Sequence, residues 1–307
     1  MARPGSRADS VPAMPFIDLK DFSDPRLDDY RIIKDRQLTV EFIRNAEAYR
    51  NPSVVRKFMA EGESVVGTLV RSQYPTVSVL CARQRLEHMA GYLAPLSPDV
   101  PVYVLDKSHI EPLVGFSVHR GVMAIGSYPT EADPIAVASL CRPGRPLLVL
   151  EDIFNHDNIG GLFRNAAAFG AAGIILNDRC SDPLYRKAIR VSMGHVLRVP
   201  FAFVGVAQTG PVSWPEFLQT LAGMGVATCA MTPRQPDGTV DLNELATNGG
   251  GQRQSVAVLI GSEGPGLTAE ALALAKCKVS IAMVDGTDSL NAYVAGAVAL
   301  HRLSTPS

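Results

Sequence analysis

LLVLEDIFNHDNIGGLFRNAAAFG, residues 147–170, holds in order a short apolar run, a polar loop, a helical pattern and a glycine. Leu147–Leu150 has no polar alternation, so it reads as a strand covered on both faces. Ile159, Leu162, Phe163, Ala166 and Phe169 recur at helical spacing and make one apolar face. Gly170 suits the left-handed position just past a helix end. Strand, loop and helix in this order begin a βα unit.

The alternation continues downstream. Apolar runs at Gly173–Leu176, Val196–Pro200, Val226–Met231, Ser255–Ile260 and Val279–Met283 alternate with helical patterns near 183–192, 213–223, 268–276 and 289–303. Continuous apolar runs imply a mostly parallel sheet with helices on both faces, an α/β domain whose ligands sit beyond the carboxyl ends of its strands. Residues 233–254, with PDG and NGGGQRQ, read as loop around one short helix near Leu242–Ala246. Upstream, residues 38–128 read as a smaller α/β unit. Its expected helices are 38–48, 62–72 and 83–94, and its expected strands Val77–Cys81, Val100–Val104 and Val122–Ile125. The expected division is a flexible tail at 1–20, a front domain at 21–128, a proline-rich linker at 129–146 and a C-terminal domain at 147–307.

Composition excludes several classes. No stretch reaches the ~18 uncharged apolar residues of a membrane helix, and the first 15 residues lack the apolar core of a secretory signal. A cytoplasmic protein with no membrane partner is expected. The five cysteines lie tens of residues apart, without C-x-x-C or a Cys/His cluster, so no metal is expected. Net charge is −1, so any affinity for nucleic acid must come from a local patch. No G-x-x-x-x-G-K-[ST] occurs and no G-x-G-x-x-G follows a strand, while in Gly261-Ser262-Glu263-Gly264 the serine falls one place early for G-x-S-x-G.

Three segments at strand ends remain. In Asn158–Gly170, Arg164 follows Gly160 by one helical turn, and a helical glycine costs ~1 kcal/mol against alanine. Either something approaches closely there, or this is a packing contact beside a solvated arginine. Leu259-Ile-Gly-Ser-Glu-Gly-Pro-Gly-Leu267 runs from a strand into a glycine-rich loop before a helix capped at Thr268. Glu263 in such a turn is either a site residue or a solvated charge. After Val279–Met283, Ser289 is a natural N-cap for a helix of small and apolar residues, buried in the core or against a second subunit. Asn291 in its first turn then needs hydrogen-bond partners.

Taken in order, N-x-G-x-x-x-R-x-x-x-x-F-G, I-G-x-E-G-x-G-L and S-L-N before a small-residue helix resemble the three motifs of the SpoU/TrmH branch of the SPOUT RNA methyltransferases. The resemblance covers residues 147–303, including Asp182–Arg186, Arg190–Gly194 and Val199-Pro200 between the first two motifs. Phe58–Val66 and His119-Arg-Gly121 resemble the L30e-like substrate-binding domain often fused ahead of it, with Arg120 where many members have Gln.

The resemblance implies a C-terminal trefoil knot, a homodimer through the C-terminal domain, and S-adenosylmethionine-dependent methylation of a ribose 2′-hydroxyl in structured rRNA or tRNA. It implies that Met231, Ile260, Gly261, Ile281 and Leu290 hold the cofactor, supported by Glu263. It implies catalytic roles for Arg164, Asn158, Glu263, Ser289 and Asn291. A guanidinium with pKa above ~12 is a poor base, so Arg164 is read as a charge stabiliser or phosphate ligand. In the front domain Arg26, Arg31, Lys34, Arg36, Arg50, Arg56 and Lys57 are candidate RNA contacts, or solvated charges among Asp28, Asp29, Asp35, Glu41 and Glu47. The alternative function is a non-catalytic RNA-binding or ribosome-assembly protein that keeps the fold.

Overall fold

The computed structural model describes residues 16–31, 56–116, 118, 120–128, 132–205, 213–233, 238–249, 251 and 253–305. The expected helix at 38–48 lies outside them.

The front domain runs β1 (Phe16–Asp18), β2 (Arg56–Glu61), α1 (Glu63–Val70), β3 (Thr76–Ala82), α2 (Leu86–Leu93), β4 (Val102–Leu105), α3 (Lys107–Val114) and β5 (Val122–Tyr128). Its strands are ordered β1-β4-β3-β5-β2 among the described residues. β1, β4, β3 and β2 run in one direction, and β5, between β3 and β2, runs against its two neighbours. β1 pairs with β4 in the register Phe16↔Val102 to Asp18↔Val104, so the sheet begins inside the stretch expected as tail. The charged start of β2 hides its strand character, and Pro112 inside α3 hides a helix.

The expected linker also carries structure. α4 (Pro134–Ala138) is capped by the Asp133 side chain, and Val137 and Ala138 are buried in the C-terminal core. That domain continues as β6 (Leu147–Leu150), α5 (His156–Phe169), β7 (Gly173–Leu176), α6 (Arg186–Val191), β8 (Phe201–Phe203), α7 (Trp214–Gly223), β9 (Ala227–Met231), β10 (Thr239–Asp241), α8 (Leu242–Thr247), β11 (Val256–Ile260), α9 (Ala269–Leu274), β12 (Cys277–Ser280) and α10 (Ala292–Leu303). The strands, ordered β10-β12-β9-β11-β6-β7-β8 among the described residues, are all parallel.

Two runs differ from the sequence reading. Val196–Pro200 is not a strand: left-handed Met193 and Gly194 lead into a 3-10 turn at His195–Leu197, and β8 starts only after Pro200. The run Val279–Met283 is shifted, since β12 pairs Cys277 with Cys229 and leaves the sheet after Ser280. This pairing brings two thiols that are far apart in sequence to an Sγ–Sγ distance of 3.4 Å.

The two domains share a continuous apolar core. Tyr128 of β5 stacks on Phe201 at 6.2 Å, and Phe163 of α5 meets Phe201 edge-on at 5.4 Å. Glu61 pairs across the seam with Arg186 at 3.2 Å and Arg190 at 3.7 Å. Gly160 packs on α6: a Cβ there would lie 2.7 Å from the Val191 Cβ and 2.8 Å from the Ala188 carbonyl oxygen. The close approach inferred at Gly160 is therefore helix on helix.

Phe163 is fully buried. Phe163→Ala should lower the unfolding free energy by about 3–5 kcal/mol, read as a lower urea midpoint with an unchanged slope.

Candidate active site

β12, β9 and β11 are neighbours in the sheet. The segments leaving their carboxyl ends enclose a cavity of about 690 Å³. Met231, Ile260, Ile281 and Leu290 give it apolar walls, and Gly261, Ser262, Glu263, Asp288, Ser289 and Asn291 line it with backbone and polar groups. All six residues expected to hold a cofactor therefore stand on one wall system.

The loop after β11 is folded tightly on itself. Gly266 N–H donates to the Ser262 carbonyl at 3.1 Å, and Gly264 and Gly266 are left-handed at φ 88° and 79°. A Cβ on Gly261 would lie 2.2 Å from the Leu267 nitrogen and 2.3 Å from the Gly266 carbonyl carbon, so no side chain fits there. The far end of the loop is fixed by Glu151, which sequence reasoning missed. Its carboxylate accepts from Thr268 N–H at 2.8 Å and from the Thr268 hydroxyl at 2.9 Å, and the residue is 1% exposed. An acid placed directly after a fully apolar strand was the available signal.

Glu263 gathers the polar rim. Its Oε1 accepts from Asn291 Nδ2–H at 3.0 Å and from Asn158 Nδ2–H in a close contact. Asn158 is buried at the first turn of α5, and its Oδ1 is buried without a hydrogen-bond partner. Asn291, not Ser289, is the N-cap of α10: its Oδ1 accepts from Tyr293 N–H at 3.0 Å. Ser289 lies two residues before this cap, on the cavity wall, because the helix begins only at Ala292.

Arg164 is not brought into this cavity. It is exposed on α5, with no hydrogen-bond or ion-pair partner among the described residues. In one chain the solvated-arginine reading of that segment is what is seen. Beside the rim, His156 stacks on Tyr185 at 4.0 Å, and burial together with nearby Lys187 holds its imidazole pKa below the usual value.

The front-domain cations singled out in the sequence are largely matched by their own acids. Arg26 pairs with Asp24 at 2.6 Å, Arg31 with Asp28 at 2.7 Å and Lys57 with Asp29 at 2.7 Å. Arg56 lies over the Tyr128 ring at 4.3 Å. Lys34, Arg36 and Arg50 fall outside the described residues. Among the described residues no group of three or more metal-ligating side chains is found, and no helix is long and apolar enough to cross a membrane.

Comparison with known proteins agrees with this architecture. Residues 145–301 match the model of the SpoU rRNA methylase family. A protein of Mycobacterium tuberculosis named as an uncharacterized tRNA/rRNA methyltransferase is 34% identical over 284 residues, which is 92% of this chain and 90% of the relative. Among solved structures, an AdoMet-bound rRNA methyltransferase from Sinorhizobium meliloti aligns with TM-score 0.71 at 21% identity, covering 94% of this chain and 97% of that one. The AviRb SpoU methyltransferase of Streptomyces viridochromogenes, in complex with AdoMet, aligns with TM-score 0.69 at 20% identity, covering 91% and 97%. At these identities the solved structures speak for the fold.

Gly261→Ala forces the loop off its own backbone. It should cost about 1–3 kcal/mol of stability, seen as a lower thermal midpoint, whereas Gly223→Ala, with nothing within 4 Å of its Cβ, should not.

Proposed function

Because the chain belongs to the SpoU rRNA methylase family, we propose that it transfers the methyl group of S-adenosylmethionine to a ribose 2′-hydroxyl of a structured tRNA or rRNA. The observation that carries this reading is the apolar cavity at three strand ends with one carboxylate gathering two amides at its rim. When bound, S-adenosylmethionine supplies a methyl group on a positively charged sulfur.

The cavity suits such a group. Met231, Ile260, Ile281 and Leu290 would hold its adenine in an apolar slot, and the folded loop at Gly261 lets the backbone come close without an intervening side chain. Glu263 holds the Asn158 and Asn291 amides in fixed positions. The unpaired Asn158 Oδ1 is an acceptor without a donor, which costs ~1–3 kcal/mol and suits a group kept for substrate. With Ser289 it would orient the ribose, and such positioning supplies much of the rate of a displacement that needs an in-line nucleophile.

A guanidinium is a poor base, so the role of Arg164 is to stabilise negative charge on the 2′-oxygen or to bind the adjacent phosphate. Since Arg164 does not line the cavity of its own chain, the reading extends to a homodimer through the C-terminal domain. There the exposed Arg164 serves the partner's cavity. Tyr293, 39% exposed at the start of α10 and packed against Gly161 of α5, supports a seam at these helices. The knotted threading of the family belongs to the same proposal.

Arg164→Ala should fold and bind S-adenosylmethionine normally, measured by calorimetry, yet lose about 10²–10³-fold in methyl transfer to total tRNA and rRNA. Full activity would exclude the assigned role, and absence of cofactor binding by the wild type would favour a non-catalytic RNA-binding protein. Mixing Arg164→Ala with Glu263→Gln should restore up to about a quarter of the activity, because half the dimers are mixed and each has one complete site. No recovery would place Arg164 in its own chain's site.

A further inference from the structure

We propose that the front domain anchors the RNA through a second cavity, of about 530 Å³, lined by Glu63, Gln84, Arg85, Lys107 and Arg120. Its ligand is the phosphodiester of an unstacked nucleotide; this rests on the reading above that the substrate is RNA. The volume is that of a small-ligand pocket. The cavity sits where β3 ends at Ala82 and where α1 and α3 begin, and Gly121 closes its floor: Ala82 N–H donates to the Gly121 carbonyl at 2.7 Å.

The charge in it is uneven. Three cations face one carboxylate. That carboxylate, Glu63, is 7% exposed and already engaged: it holds the Arg85 guanidinium in a close ion pair and meets His88 Nε2 at 3.0 Å. Lys107 and Arg120 are exposed, and among the described residues neither has a carboxylate partner. Asp106, next to Lys107, is taken up by Arg83 at 3.1 Å, and Arg83 also binds Asp18. Arg26, Arg31 and Lys57 are each matched by an aspartate, whereas this cavity gathers two cations that are not.

Contacts join it to the rim of the first cavity. Glu61, two residues before Glu63, binds Arg186 and Arg190 of α6. The Arg186 guanidinium lies 3.7 Å over the Phe116 ring, four residues before Arg120. On the same helix Lys187 binds Asp157 at 2.7 Å, next to Asn158. The side chains of Arg190 and Lys187 remain 54% and 44% exposed. A strand held at Lys107 and Arg120 can therefore cross α6 toward the methyl-transfer site.

The test uses the full chain and a 5′-fluorescein-labelled RNA stem-loop, followed by anisotropy from 50 to 300 mM KCl, with S-adenosylmethionine binding measured in parallel. The double variant Lys107→Glu/Arg120→Glu should bind the RNA at least about tenfold more weakly and flatten the salt dependence by about two phosphate contacts. Its cofactor affinity should stay within about twofold of wild type, since charge placement and not the methyl site is altered. Lys107→Arg/Arg120→Lys, which keeps the charge, should bind like wild type. Unchanged RNA affinity and salt slope in the reversed variant, with cofactor binding intact, would overturn the anchor and leave the methyltransferase reading standing. An equal loss in the charge-keeping variant would overturn its electrostatic basis. A wild type that binds cofactor but no RNA would remove both the anchor and the RNA substrate.

Discussion

β6 and β11 lie side by side in the middle of the C-terminal sheet, and no side chain of Leu147–Leu150 or Val256–Ile260 is more than 3% exposed. A strand pair covered on both faces can carry no polar group along its length, because each would need a partner or cost ~1–3 kcal/mol. Polar chemistry is therefore displaced to the residues immediately after the strands: Glu151 after β6, Gly261–Glu263 after β11. Glu151 is still 1% exposed, so its carboxylate must be satisfied, and it is satisfied by the start of α9. The loop between β11 and α9 is thus held at both ends. Between those points only glycine can occupy position 261, and Glu263 is carried to the rim.

The rim in turn depends on how closely α5 and α10 approach. Gly161 gives way to Tyr293, Gly296 to Leu162, and Asn165 Nδ2–H donates to the Tyr293 carbonyl at 2.7 Å. This explains the small residues of α10: Ala292, Gly296 and Ala299 are buried within the chain, beside Leu300 and Leu303. It also explains why two asparagines from helices far apart in sequence converge on one carboxylate. Asn291 serves twice, its side-chain Oδ1 capping α10 and its Nδ2–H donating to Glu263.

What was legible in the chain was what local pattern encodes. Leu147–Leu150 and Gly173–Leu176 are strands with the limits that apolarity alone suggests. The cavity's apolar wall followed from a family resemblance carried by residues at strand ends. What was not legible depends on pairing across the fold. β2 begins Arg56-Lys57, charges that suit an edge strand and blur its pattern. Gly160 advertises a close approach without saying that the visitor is Val191 of α6. Ser289 and Asn291 are both good caps, and only where the helix starts decides between them. Cys229 and Cys277 touch because β9 and β12 are neighbours, an order no spacing rule reveals.

Charge shows the same limit more sharply. A net charge of −1 and a run of mixed signs near the front of the chain suggest a surface without polarity. Yet attraction for a polyanion depends on which cations are left unmatched, since a close ion pair has little field beyond the ~8–10 Å over which salt screens. Arg26, Arg31 and Lys57 are nearly silent by this measure, each lying within 3 Å of an aspartate. Lys107 and Arg120 lie thirteen residues apart and draw no attention as a motif. The fold sets them on one concave wall, and Arg83 removes the carboxylate of Asp106 that would have opposed them. The functional polarity of this surface is made by folding, which pairs some charges and frees others; a count of charges along the chain cannot contain it.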